Sequence, residues 1–296
     1  MSHSRTESPE LNLHGGGATP VRAERRVFLL SSPRAGSTLL SRVLDSHTKI
    51  ASPCEICIPY IVTSSWKFLK SLKNIAKISE FYGARMPAVS CTLAFERVAR
   101  WHLDGLVEAI LQKDNKQTVV IKDPRHAAHV EKVDRLCADD LPKYILLHRD
   151  ARAVCHSFTS TLGRKPQRGF KAWLQCTQGM LACEHDNRDR CLSLRFEDFV
   201  ANPAHEARRI VEFLGHTFED TMLDYGQHQH ADDQLGLWTN SKLVDSVKRG
   251  LIAPPKAPSW LGNDEILEMY DRWPLVQSIN EKLGYPPAAG ELAPAA

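Results

Sequence analysis

Apolar runs of strand length alternate along the chain with segments whose apolar residues recur at helical spacing. "VFLLSS" (27–32) precedes a pattern that predicts a helix from about Ser37. "TVVIKD" (118–123) precedes "HAAHVEKVDRLC", and "KYILLHRD" (143–150) precedes "ARAVCHSFTSTL". "CLSLRFEDF" (191–199) leads into "PAHEARRIVEFLG", with Pro203 near the helix start and Gly215 at its end. Short apolar strands alternating with helices predict a mostly parallel sheet covered on both faces. The expected fold class is therefore α/β, a single domain with a mostly parallel central sheet flanked by helices. Sheets of this kind bind ligands beyond the carboxyl ends of their strands.

The ends lack this pattern. Residues 1–24 are polar, with Gly15, Gly16 and Gly17 in a row, and read as a disordered tail. Residues 287–296 read as a second loose end, leaving one domain over 25–286. The chain is 43% hydrophobic and 25% charged, an ordinary soluble profile, and its formal charge of +3 is too small to imply a nucleic-acid partner. No stretch reaches the ~18 apolar residues of a membrane span. The start has no signal-peptide core, which leads to the expectation of a cytoplasmic protein. The eight cysteines fit a reducing compartment, several sitting in apolar periodic segments. Cys54 and Cys57 form a C-x-x-C without a second pair at matching spacing, so no metal site is expected.

Candidate chemistry begins where the first strand ends. In Ser32-Pro33-Arg34-Ala35-Gly36-Ser37-Thr38, small residues let the main chain curl around an anion, with the next helix N-terminus behind it. Arg34 adds a planar guanidinium suited to phosphate oxygens. The alternative is a plain strand-to-helix turn with a capping serine. A nucleotide-hydrolysing P-loop would need a lysine after its glycine, and here Ser37 follows Gly36. His148-Arg149-Asp150 matches a kinase triplet, but Cys155 stands where that motif needs asparagine, which disfavours a kinase.

A second basic site follows "KYILLH". Arg149 ends a strand, Asp150 is placed to cap the next helix, and Ser157 lies eight residues on, about two turns at ~3.6 residues per turn. Either Arg149 and Ser157 face one anion, or this is a capped helix with a surface arginine. Two such sites suggest a ligand with two separate phosphate groups.

Together these landmarks resemble the sulfotransferases that use 3′-phosphoadenosine 5′-phosphosulfate (PAPS). A P-R-x-G-[ST]-T loop matches Pro33 to Thr38, and an R-D-x-R-x-x-x-x-S segment matches Arg149 to Ser157. "RFEDFVANPAHEARRIVEFLG" resembles their Y-E-D-L stretch, with Phe196 in place of tyrosine. "ASPCEICIPY" is similar to polyketide-associated sulfotransferase domains, and "IKDP" and "EKLGYPP" to the tyrosylprotein branch. The resemblance spans about residues 26–285 and implies a P-loop-like fold. It implies that Pro33, Arg34, Ala35, Gly36, Ser37, Thr38 and Leu39 hold the 5′-phosphosulfate, and Arg149 and Ser157 the 3′-phosphate. Lys248 would supply a further basic contact. PAPS would serve as co-substrate, with no metal. The acceptor would be a small molecule, a peptide or an acyl-carrier-bound chain, as in secondary metabolism.

The resemblance places a catalytic glutamate at Glu55, 21 residues after Arg34. Its neighbours Pro53, Cys54, Ile56, Cys57 and Ile58 predict desolvation that raises its pKa from ~4.3. The alternative is a carboxylate paired with a basic neighbour. Lys122 is assigned to the bridging oxygen of the departing phosphate, with Arg34 sharing the sulfuryl charge; otherwise Lys122 is a lysine at a turn. His126 and His129 are expected at the surface or as helix caps. His216, His228 and His230 have acidic sequence neighbours, among them Asp224, Asp232 and Asp233. Residues 64–112 form the expected acceptor side, a helical region that is a lid, a dock for an acidic partner or an ordinary surface helix. The rival to an enzyme is a catalytically idle nucleotide-binding or partner-docking protein on the same scaffold.

Overall fold

The computed structural model describes residues 25–53, 55–56, 77–84, 95–137, 140–231, 233, 252, 254 and 257–287, without the side chains of 95–98. Five strands form one sheet: β1 (Arg26–Ser31), β2 (Ile50–Ala51), β3 (Thr118–Lys122), β4 (Lys143–His148) and β5 (Cys191–Arg195). Their order is β2-β3-β1-β4-β5, and every pairing is parallel. The helices are α1 (Ser37–Asp45), α2 (Phe95–Asp114), α3 (Val130–Leu136), α4 (Ala151–Leu162), α5 (Pro166–Asp186), α6 (Phe196–Ala201), α7 (Pro203–Phe213), α8 (Asp264–Asp271) and α9 (Pro274–Lys282). The expected α/β class with a parallel sheet is what forms.

The unbroken apolar runs follow from burial on both faces. Side chains alternate across a strand, and all six residues of β1 are buried. Phe28 and Leu30 join Ile121, Tyr144 and Leu146 in a core under α2, α3 and α5. Val27 and Leu29 join Ile145 and Leu147 in the opposite core, against Leu40, Val43 and Leu44 of α1 and Ile210 and Val211 of α7. Truncating any of these leucines to alanine should cost about 2–5 kcal/mol. A third cluster around Phe170, Trp173, Trp260, Tyr270 and Val276 fastens α8 and α9 to α4 and α5.

The helix ends follow their sequence signals. Asp150 caps α4 by accepting from Arg152 N, as its position predicted. Pro203 opens α7, and Gly215 lies just beyond its end at φ 85°. One boundary differs from expectation. The run 191–199 is not one strand: β5 stops at Arg195 and Phe196 starts α6. Glu197 and Asp198 occupy that helix's first turn, where the dipole favours carboxylates, and Phe199 and Val200 are buried beneath it.

No helix among the described residues is long and apolar enough to cross a membrane. Several expectations lie outside the described residues: the tails 1–24 and 288–296, the stretches 64–76 and 85–94 of the acceptor side, and Lys248.

Candidate active site

β1 is the middle strand of the sheet, so the loop after it lies between the ends of β3 and β4. Ala35 N closes the turn by donating to Ser32 O at 3.2 Å. Arg34 and Gly36 are both left-handed, at φ 69° and 94°. Such alternation turns backbone N–H groups into a shared concavity suited to an anion. Gly36 is required twice over. Its φ disfavours a side chain, and an added Cβ would lie 2.2 Å from Cε2 of Phe196. The ring that replaces the family's tyrosine therefore lies directly over the loop.

The Arg34 side chain crosses to α4, where Nε donates to Ser157 Oγ at 3.1 Å and Nη2 to Thr161 Oγ1 at 3.3 Å. Arg149, one residue beyond β4, donates through Nη1 to the Arg34 carbonyl at 2.8 Å. Its guanidinium sits 4.6 Å from the Phe196 ring centre, and its own carbonyl accepts from Trp173 Nε1 at 2.8 Å. Arg149 Nε is buried and has no hydrogen-bond partner among the described residues. The two segments singled out in the sequence thus adjoin, Arg149 on the Arg34 carbonyl and the Arg34 side chain on Ser157. Burial lowers the pKa of the Arg34 guanidinium, Arg149 adds to the effect, and Glu55 opposes it. Burial also lowers that of Arg149, against Glu197, Tyr285 and Asp150.

Lys122 ends β3 with its side chain 2% exposed. Its Nζ donates to Thr38 Oγ1 at 3.0 Å and to Glu55 Oε1 at 3.4 Å. Ile56 N donates to Lys122 O at 3.1 Å, which pins the Glu55 loop against the strand end. Glu55 is more open than its sequence neighbours suggest. Pro53 and Ile56 are buried, but the Glu55 side chain is 47% exposed and ion-paired with Lys122. Three of its supposed apolar neighbours, Cys54, Cys57 and Ile58, lie outside the described residues.

The histidines also differ from expectation. His126 is fully buried, edge-on to Phe28 at 5.4 Å, and burial pushes its pKa down to about 4. The short 3-10 turn of His126–Ala128 directs it inward, so it is neither a surface nor a capping group. His129 stands at the start of α3 without a side-chain cap bond. His230 pairs with Asp45, at 2.7 Å, rather than with its acidic sequence neighbours. Among the described residues no group of three or more His, Cys, Asp or Glu is arranged to hold a metal ion.

Arg152, the second arginine of the R-D-x-R segment, is fully buried and turned away from the loop. It donates to Asp150, to Pro286 O at 2.8 Å and to Pro287 O at 3.1 Å, and stacks 3.9 Å from the Trp260 ring centre. A cavity of about 330 Å³ opens beside Arg149, walled by Phe196, Glu197, Pro258, Trp260 and Tyr285. Glu197 is fixed there by Asp150 N at 3.3 Å and the Tyr285 hydroxyl at 3.0 Å. Sequence reasoning missed Thr161, Glu197 and Tyr285. Thr161 lies one helical turn after Ser157, and Glu197 and Tyr285 sit in the "RFEDF" and "EKLGYPP" stretches, but no role was read for them.

A family model described as "Sulfotransferase family" matches residues 26–220. The Drosophila melanogaster protein-tyrosine sulfotransferase is 24% identical over 89% of this chain, which spans only 52% of that relative. Protein-tyrosine sulfotransferase A of Caenorhabditis elegans is 25% identical over 89% of this chain and 68% of its own length. Among solved structures, the sulfotransferase domain of the Synechococcus PCC 7002 olefin synthase superposes with a TM-score of 0.58. It is 22% identical and covers 91% of this chain and 98% of the domain. The sulfotransferase domain from the curacin biosynthetic pathway gives 0.55 at 20% identity, over 88% of this chain and 98% of that domain. These structures share the fold, and both branches of the expected resemblance are represented.

Proposed function

The chain belongs to the sulfotransferase family, and from that premise we propose that it moves a sulfuryl group from PAPS to a hydroxyl of a small-molecule, peptide or carrier-bound acceptor. The observation that carries the proposal is the junction of Arg34 and Arg149, which brings two anion-binding groups to one sheet edge. Lys122, Thr38 and Glu55 adjoin it through their own contacts. In this reading the loop 33–39 holds the 5′-phosphosulfate. Arg149 takes the 3′-phosphate, with Ser157 fixing Arg34 beside it. The cavity next to Arg149 has the aromatic and apolar walls that suit a nucleobase.

The acceptor oxygen attacks sulfur in line while the bond from sulfur to the bridging phosphate oxygen breaks. Glu55 takes the acceptor's proton. Lys122 and Arg34 stabilise charge on the leaving phosphate and the transferring group. Lys122 already bridges Thr38 and Glu55, so a shift of Nζ toward the leaving oxygen would free the Glu55 carboxylate as base. The protein-tyrosine sulfotransferases among the relatives support a peptide tyrosine as one acceptor class.

The test is transfer from labelled PAPS to a panel of hydroxyl acceptors, with binding of adenosine 3′,5′-bisphosphate measured by calorimetry. Transfer by the wild type, abolished in Glu55→Gln with nucleotide binding retained, is the expected result. Binding without transfer to any acceptor class would favour the idle nucleotide-binding scaffold. Failure to bind the bisphosphate would overturn both.

A further inference from the structure

Away from the sheet edge just described, two thiols face each other. Cys183, in the last turn of α5, and Cys191, the first residue of β5, have their sulfurs 3.7 Å apart. The contact is a non-bonded one, and a disulfide needs about 2.05 Å, so modest movement would close it. Cys191 Sγ also lies 3.7 Å from the Cys183 carbonyl, and Asn187 Nδ2 lies 4.0 Å from Cys183 Sγ. The short 3-10 turn Arg188–Arg190 brings the helix end back to the strand.

We propose that Cys183 and Cys191 are a dithiol–disulfide pair, oxidised by a small hydroperoxide, that staples the end of α5 to the start of β5. The two sulfurs are unequal. Cys191 is half-buried and reachable, whereas Cys183 is buried. Hydrogen bonding from Cys183 holds the Cys191 thiol below its ordinary range, against the effect of burial, and Arg190 helps. A thiolate with some exposure is the attacking species in such chemistry. Cys137, Cys155 and Cys176 make the contrast: all are buried, and burial pushes their thiols up to about 11, 12 and 12.

The sequence of bonds follows from that difference. The Cys191 thiolate attacks the hydroperoxide, the O–O bond breaks, and an alkoxide or hydroxide leaves to take up a proton. The sulfenic acid so formed is attacked by Cys183, the S–S bond forms, and water departs with the Cys183 proton. Two thiols are oxidised, and one hydroperoxide is reduced to an alcohol, or to water, plus water. Joining the residues fixes the strand whose far end carries Arg195 and leads into Phe196.

Cleavage by trypsin after Arg188 and Arg190 puts the two cysteines on separate peptides, 172–188 and 191–195; the first also holds Cys176, so fragmentation of the joined peptides identifies which of its cysteines is bonded. The folded full-length chain is treated with hydrogen peroxide, alkylated and digested without reductant. The expected product is the two peptides joined through Cys183 and Cys191, lighter by two hydrogens than their sum and lost on reduction. Cys183→Ser, which keeps a hydrogen-bond donor beside Cys191 but cannot resolve it, should accumulate a dimedone-reactive sulfenic acid at Cys191, whereas Cys191→Ala should leave Cys183 unmodified until the chain is unfolded. The proposal is overturned if Cys191 in the folded wild type goes only to sulfinic or sulfonic acid, if it pairs with another cysteine, or if Cys183→Ser gives no adduct.

Discussion

Arg149 Nη1 donates to the carbonyl oxygen of Arg34 at 2.8 Å, joining two segments 115 residues apart in the chain. The contact uses main chain on one side and guanidinium on the other, so it positions the loop and leaves the Arg34 side chain free to reach Ser157 and Thr161. A change at Arg149 should therefore act on the loop as well as on the anion. Arg149→Gln is expected to weaken adenosine 3′,5′-bisphosphate binding about 10–100-fold, the range of one charge-assisted hydrogen bond. Calorimetry at two salt concentrations checks this, and the variant should show the shallower salt dependence.

Glu55→Gln should lower sulfate transfer about 10²–10⁴-fold, the span of general-base contributions. Donor affinity should change little, because the Glu55 hydrogen bond goes to Lys122 and its influence on Arg34 is the smallest of those acting there. A radiolabelled transfer assay beside nucleotide calorimetry separates the two effects. Equal loss in both would make Glu55 a structural partner of Lys122 instead.

Gly36→Ala combines an unfavourable positive φ with a clash against the Phe196 ring. It should destabilise the chain by about 1–3 kcal/mol and impair nucleotide binding further. In thermal melts, adding Phe196→Ala should relieve the steric part and leave the backbone strain. Full recovery in the double variant would mean that the glycine is needed only for space.

Stability should fall on the acid side because of His148. It is buried at the end of β4, neither ring nitrogen has a hydrogen-bond partner among the described residues, and burial pushes its pKa down to about 4 against the influence of Glu184. The unfolded chain, titrating near ~6.5, takes a proton that the folded chain refuses, so stability drops as pH falls from ~6.5 toward 4. His148→Leu should flatten that slope in melts recorded from pH 7 to 5.

His230 acts with the opposite sign. Burial works against its charge, but Nδ1 lies 2.7 Å from Asp45 Oδ2 and Nε2 lies 2.9 Å from Tyr225 O, and these acceptors raise its pKa. Its contribution is complete below ~6.5 and is lost as pH rises through the raised value. Asp45→Asn should remove this alkaline decline, read as a flatter midpoint between pH 6.5 and 8.5.

Much of this arrangement was legible in the residues. The alternation of "VFLLSS", "TVVIKD" and "KYILLH" with helical patterns gave a parallel sheet because buried strands must be apolar on both faces. Asp150 and Pro203 announced their helices through local hydrogen-bond chemistry. What could not be read was set by distant partners. Glu55 looked desolvated from its sequence neighbours, yet its side chain is half-exposed and pairs with Lys122, 67 residues away in the chain. His126 looked like a surface group until the turn after Lys122 sent it under Phe28. The assignment of Ser157 to Arg34 depends on a side chain crossing between elements, which no spacing within α4 encodes.

Arg152 grips Pro286 and Pro287 solely by their carbonyl oxygens. Carbonyls are common to every amino acid, so this clasp recognises the route of the terminal segment and is indifferent to its spelling. Shortening the chain to end at Leu283 would leave a fully enclosed guanidinium missing two of its acceptors, and would also strip Tyr285 from Glu197. The short segment beyond α9 is therefore a foundation for the Arg149 wall, despite lying far from it in the chain.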